Sequence, residues 1–155
     1  IPVDSSKNLQ EGGKVSRFET ELRTEYLLKF FPGKPAWRNQ RVGKLGGSLA
    51  ALVPDTKLER SAIPFQRWVD AVVKVNGIFM IIEFKRKLTD SAIGQVEGYI
   101  QEFPDTPEFQ DFKPFEVKGM IVAFYDDPIV RRRAEEKGID VDIYKSPRLQ
   151  QLIEE

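Results

Sequence analysis

The chain has 155 residues, and its 24 Lys and Arg balance 24 Asp and Glu, so the formal net charge is zero. That length supports one domain with a sizeable core, and the balanced charge leaves contact with nucleic acid to local basic clusters. Cysteine and histidine are both absent, which excludes disulfides, thiolate or imidazole zinc sites and histidine-based triads, and leaves hard cations held by oxygens, Mg²⁺ or Mn²⁺ first.

No apolar stretch approaches the about 18 residues that a membrane span requires. No secretory leader is visible in a sequence that begins at Ile1, and a cytoplasmic (intracellular) protein is expected. Residues 1–13 (IPVDSSKNLQEGG) are polar and end in glycines, which predicts a flexible N-terminal arm before a single domain over 14–155. Val15, Phe18, Leu22, Tyr26 and Phe30 recur at three- and four-residue steps and predict a helix over 14–31, ended by Phe31-Pro32-Gly33. Ala36–Arg41 reads as a short strand. Residues 42–64, with Gly43, Gly46, Gly47, Pro54 and Pro64, read as a long irregular excursion; the VGKLGGSLA run lacks the ending of a phosphate-binding P-loop.

Residues 65–87, FQRWVDAVVKVNGIFMIIEFKRK, carry Asn76-Gly77 between two apolar, β-branched runs, the signal for a two-residue type I′ hairpin turn. That turn pairs Val75 with Ile78 and Lys74 with Phe79 and, counted onward, sets Asp70 opposite Glu83. Side chains opposite one another on a sheet face have Cβ atoms about 4.5–5.5 Å apart, and Lys85, two residues on, shares that face. Two acids interrupting rows of Trp68, Val72, Phe79 and Ile81 repel one another and need a cation between them.

Further along, 90–102 reads as a helix capped by Asp90 or Ser91 with Ile93, Val96 and Ile100 as its stripe, and with Gln95 and Tyr99 adjacent on one side. Residues 103–115 (FPDTPEFQDFKPF) read as a Pro- and Phe-rich connection whose apolar residues serve either the core or an interface. A buried strand over 117–125, a helix over 128–137 opened by Pro128, a strand over 139–144 and a short helix over 147–154 complete the order. This order predicts an α/β three-layer domain with a mixed central sheet. On the first helix Glu19 falls inside the apolar stripe, Glu25 at its edge and Glu21 outside it, so Glu19 is the expected inward acid, with Glu25 and Glu21 behind it.

Asp70, followed after twelve residues by Glu83-Phe84-Lys85, resembles the D-(x)n-(D/E)-x-K core of the PD-(D/E)XK nuclease superfamily. Glu19 in the preceding helix fits the same pattern. Gln95-Val-Glu-Gly-Tyr99 resembles the Q-x3-Y element of RecB-like members, and the strand-helix-strand ending resembles Holliday-junction resolvases and restriction-type enzymes. Val69 departs from the Pro that many members place before the aspartate, and no motif fixes a subfamily.

The resemblance implies a restriction-endonuclease-like fold and a Mg²⁺- or Mn²⁺-dependent nuclease acting on DNA. It implies Asp70, Glu83, the Phe84 backbone carbonyl and Glu19 as metal ligands. Lys85 would orient or deprotonate water or pair with phosphate, and Gln95 would position Lys85 or the nucleic acid, supported by Tyr99. Arg38, Arg41, Arg86 and Lys87, with Tyr99, are the expected nucleic-acid contacts. A cutter of two symmetric strands would work as a homodimer, and the near-neutral charge leaves room for a partner protein. The alternatives are a catalytically silent nucleic-acid-binding or assembly module on the same fold, and an unrelated α/β protein with a surface acid pair.

Overall fold

A computed structural model describes residues 16–44 and 67–155. The expected arm over 1–13 and residues 45–64 of the expected excursion lie outside the described residues.

Ser16 opens helix α1 (Arg17–Phe30) by accepting the Glu19 N–H at 3.0 Å, so the helix begins three residues later than the periodicity predicts because the cap residue sets its start. Strand β1 (Ala36–Val42) follows, then the hairpin of β2 (Arg67–Val75) and β3 (Ile78–Lys87). Helix α2 (Asp90–Glu102) starts after Thr89, not after Asp90 or Ser91, and Thr89 spends its hydroxyl on Ser91 Oγ at 3.1 Å and caps no N–H. Strand β4 (Glu116–Tyr125), helix α3 (Pro128–Glu136), strand β5 (Asp140–Ile143) and helix α4 (Pro147–Glu154) complete the chain. The Asp127 carboxylate caps α3 through the Ile129 and Val130 N–H groups, with Pro128 in the first turn, where its missing N–H costs nothing.

The five strands among the described residues lie in sequence order across one sheet. β1, β2 and β3 are antiparallel, whereas β3, β4 and β5 are parallel. The α/β three-layer architecture with a mixed sheet is therefore present. Phe18, Leu22 and Tyr26 of α1 and Leu149 of α4 cover one face, over Ala71, Val73, Ile82, Phe84, Val122 and Phe124. α2 and α3 cover the other with Ala92, Ile93, Val96, Tyr99, Val130 and Ala134. Gly119 lets α2 approach β4: a Cβ there would stand 2.5 Å from Val96 and 2.6 Å from Ile100.

The Phe-rich stretch forms two 3₁₀ segments, Phe103–Asp105 and Pro107–Phe112. It closes the α2 face: Phe103 and Phe109 are fully buried and, with Trp37, Phe112 and Phe115, ring Phe79 at centroid separations of 4.9–6.0 Å. Of the two roles open to this stretch, core packing takes most of its rings. Among the described residues no helix is long and apolar enough to cross a membrane.

Candidate active site

The hairpin register runs as the turn dictates, from Val75↔Ile78 to Ala71↔Ile82. The turn itself is not type I′: Asn76 is left-handed (φ 56°) and Gly77 is not, whereas type I′ needs both. The loop length, which is unchanged, sets the register. One step before Asp70 would meet Glu83, the ladder stops. Val69 and Val72 share the α2-side core while Ala71 and Val73 share the α1-side core, so the strict alternation of β2 breaks around Asp70. β1 breaks with it. Its pairing runs Arg38↔Ala71 and then Gln40↔Val69, and the skipped residue, Asn39, is buried and left-handed at φ 53°.

Where β2 no longer supplies backbone acceptors, side chains do. Asp70 Oδ2 accepts the Phe84 N–H at 2.8 Å, and Glu19 Oε2 accepts the Arg86 N–H at 3.2 Å. Alternate residues of a strand turn their backbone groups to the same neighbour, so the Phe84 carbonyl lies on this same side. Glu19 occupies the third helical position after Ser16, the place of a capping-box glutamate, yet its carboxylate crosses to β3. The other helix acids are engaged elsewhere: Glu21 pairs with Arg148 at 3.0 Å, and Glu25 accepts from Tyr144 Oη and Ser146 Oγ at 2.5 and 2.9 Å. The Tyr144 hydroxyl is pushed up to about 12 by that carboxylate.

Glu83 is 4% exposed and lies beside Asp70. Burial, and then the neighbouring Asp70 charge, push its carboxyl well above the usual range; Lys85, 3.4 Å away, acts in the opposite sense. Burial also raises Asp70, against the Phe84 N–H and the Arg23 and Lys85 charges, while Glu19 adds to the rise. Glu83 Oε1 is buried without a hydrogen-bond partner, and so is Gln95 Oε1 on α2. An orphaned carboxylate oxygen beside a second carboxylate is an oxygen donor set of the kind a divalent cation satisfies. Glu19 is near enough to act on Asp70 electrostatically, but among the described residues no group of three or more acids is arranged around one metal position. The donors already drawn together are thus Asp70 and Glu83.

The expected nucleic-acid contacts divide. Arg86 and Lys87 are exposed at the end of β3, and Arg38 is partly buried on β1 beside the strand break. Arg41 is engaged, with Glu108 at 3.4 Å and with its guanidinium over the Trp68 ring. Tyr99 is not placed to touch a ligand: it is 5% exposed and packs in the α2-side core, with its hydroxyl raised by burial and by the Glu83 and Asp70 charges. The stripe of α2 holds Tyr99 as well as Val96, which makes it a wall of the acid pair.

Arg23 and Asn39 escaped the sequence reading. Arg23 is 5% exposed and donates from Nη1 to Asn39 Oδ1 at 3.0 Å, and its charge acts on Asp70. The available signal was spacing: Arg23 lies one turn beyond Glu19, so an inward Glu19 carries Arg23 inward too.

No family model matches the chain, and no curated protein matches it. Among solved structures it is similar to a repair endonuclease from Pyrococcus abyssi, at 13% identity and a TM-score of 0.44, over 86% of this chain and 49% of that one. The chain thus spans about half the length of that structure. A likeness at this level assigns no chemistry.

Proposed function

We propose that this domain is a metal-dependent nuclease that hydrolyses phosphodiester bonds in DNA. The observation that carries the reading is the open end of the hairpin: a buried Glu83 beside a half-buried Asp70, one oxygen of Glu83 unpartnered, and the Lys85 ammonium 3.4 Å from the other.

Asp70, Glu83 and the Phe84 carbonyl are the groups that would hold Mg²⁺ or Mn²⁺, with Glu19 within electrostatic reach of Asp70. A bound divalent ion would lower the pKa of a water and stabilise charge on the scissile phosphate. Lys85 holds a positive charge beside the acid pair, where it can orient the attacking water or pair with a phosphate oxygen. Gln95 offers an unpartnered amide oxygen to Lys85 or to that water. Arg23, fixed on Asn39, offsets the negative charge of Asp70 from the α1 side. Arg38, Arg86 and Lys87 supply phosphate contacts.

A catalytically silent nucleic-acid-binding module is favoured by one observation, that no third described acid closes on the pair. One experiment separates the two. Linear, nicked, branched and single-stranded DNA are incubated with Mg²⁺, Mn²⁺ or EDTA, beside Asp70→Ala and Lys85→Ala. The nuclease reading expects cleavage that EDTA and either substitution abolish. Binding without cleavage of any substrate leaves the silent module.

A further inference from the structure

We infer that the strand-end edge beside the acid pair is a stacking platform for an unpaired DNA strand, with Tyr125 as its base-stacking residue. The inference rests on the nuclease reading of the site and names the form of DNA that this site receives.

Glu83, Lys85 and Lys87 follow one another on the same face of β3 at two-residue steps. Lys87 is paired in register with Tyr125, as Lys85 is with Ala123. Tyr125 therefore stands one such step, about 7 Å, beyond Lys85 along the strands. It is 42% exposed, one of few large apolar side chains left open among the described residues, while its neighbour Phe124 is 1% exposed.

The ring is braced. Phe124 meets it edge-on at 5.0 Å, and Phe18 meets Phe124 edge-on at 5.4 Å. The Lys145 ammonium lies 4.3 Å from the Phe124 centroid and 5.4 Å from that of Tyr125, and the Arg86 guanidinium lies 5.6 Å from that of Phe18. Arg86, Lys87 and Lys145 are all exposed, and among the described residues none of their side chains forms an ion pair with a carboxylate. The acids that follow Tyr125 are engaged: Asp126 pairs with Arg131 at 2.8 Å, and Asp127 caps α3.

A braced, exposed aromatic among cations is the composition that binds single strands, in which a base stacks on the ring and its phosphates meet the cations. A duplex keeps its bases stacked on one another and offers this ring none. The charge complements a nucleic acid, and the distance from Lys85 seats the stacked base next to the bond to be cut.

The test is fluorescence anisotropy in EDTA with labelled single-stranded and fully paired oligonucleotides, using the whole chain and its Tyr125→Ala, Tyr125→Phe and Lys145→Ala variants. Tyr125→Ala is expected to weaken single-strand binding about tenfold and to leave duplex binding within about twofold, while Tyr125→Phe retains binding. Lys145→Ala weakens both forms alike and flattens their salt dependence. Unchanged single-strand binding by Tyr125→Ala, or an equal loss on both forms, overturns the inference. Cleavage assays on the same proteins keep the two readings apart. Tyr125-dependent binding without metal-dependent cleavage supports the platform and removes the nuclease; cleavage with Tyr125-independent binding does the reverse.

Discussion

The two ends of the β2–β3 hairpin are built on opposite terms. At the turn end every residue pair from Val75↔Ile78 to Ala71↔Ile82 is in register, and Phe79 is sealed in a ring of aromatics. At the open end β2 leaves the ladder, two strand N–H groups turn to carboxylates, and a buried Glu83 lies beside a half-buried Asp70. The turn end gains stability from regularity. The open end gives some up, because like charges held out of water oppose folding, and it is there that the proposed cation would bind. That division explains why the candidate chemistry sits where the regular pattern fails.

The largest expected effects separate the ends by function. Asp70→Asn and Lys85→Ala should each lower metal-dependent cleavage about 10³-fold while the protein still unfolds cooperatively, Asp70→Asn somewhat more stable than wild type without metal and Lys85→Ala somewhat less. Cleavage kinetics and calorimetry on the same samples check this. At the turn end, Phe79→Ala should cost about 3–5 kcal/mol of stability, read by urea denaturation; a loss under 1 kcal/mol, well short of that range, would show that the aromatic ring around Phe79 does not hold the sheet.

Next in size is the charge at the open end. The folded carboxyl values of Glu83 and Asp70 lie above their ordinary values of 4.5 and 3.8. Between those and the raised values the folded state keeps protons that the unfolded chain has released, so metal-free stability falls as pH rises through that window. Glu83→Gln should flatten this slope and raise metal-free stability at neutral pH by about 1–3 kcal/mol. It should also remove the increase in Tm that the proposed binding of Mg²⁺ or Mn²⁺ is expected to give the wild type. A melting series across pH, with and without metal, reads both; a slope of opposite sign would show that Lys85 and Arg23 outweigh burial. The smallest effect lies in the turn. Asn76→Ala places a Cβ-bearing residue without a side-chain amide at φ 56° and should cost about 1 kcal/mol, with cleavage unchanged.

Much of this was legible in the chain. The Asn76-Gly77 pair fixed loop length, and loop length fixed register for every pair up to Ala71↔Ile82, because a two-residue loop permits one alignment. The rows containing Phe79, Ile81 and Val72 were readable as one buried face from alternation alone. Glu19 stood out among the helix acids because an inward carboxylate breaks an apolar stripe, and it alone of the three reaches the strand end. Tyr99 was misplaced because a Gln and a Tyr four apart on a helix look alike in the sequence, although the helix sinks one into the core and leaves the other partly open.

The sequence by itself determined the element order, the hairpin alignment and the residue types that limit any metal to oxygen ligands, since these follow from local backbone geometry, periodicity and the absence of histidine and cysteine. Only the tertiary structure decided that β1 and β2 both change face at Asn39 and Asp70, that Arg23 from α1 bonds Asn39 beside that break, and that Tyr125 stands open with Lys87 in register beside it and the Lys145 ammonium 5.4 Å from its ring. Those features arise where elements distant in sequence meet. There one strand's lost hydrogen bonds are taken up by another element's side chains, and no local pattern in the chain records such an exchange.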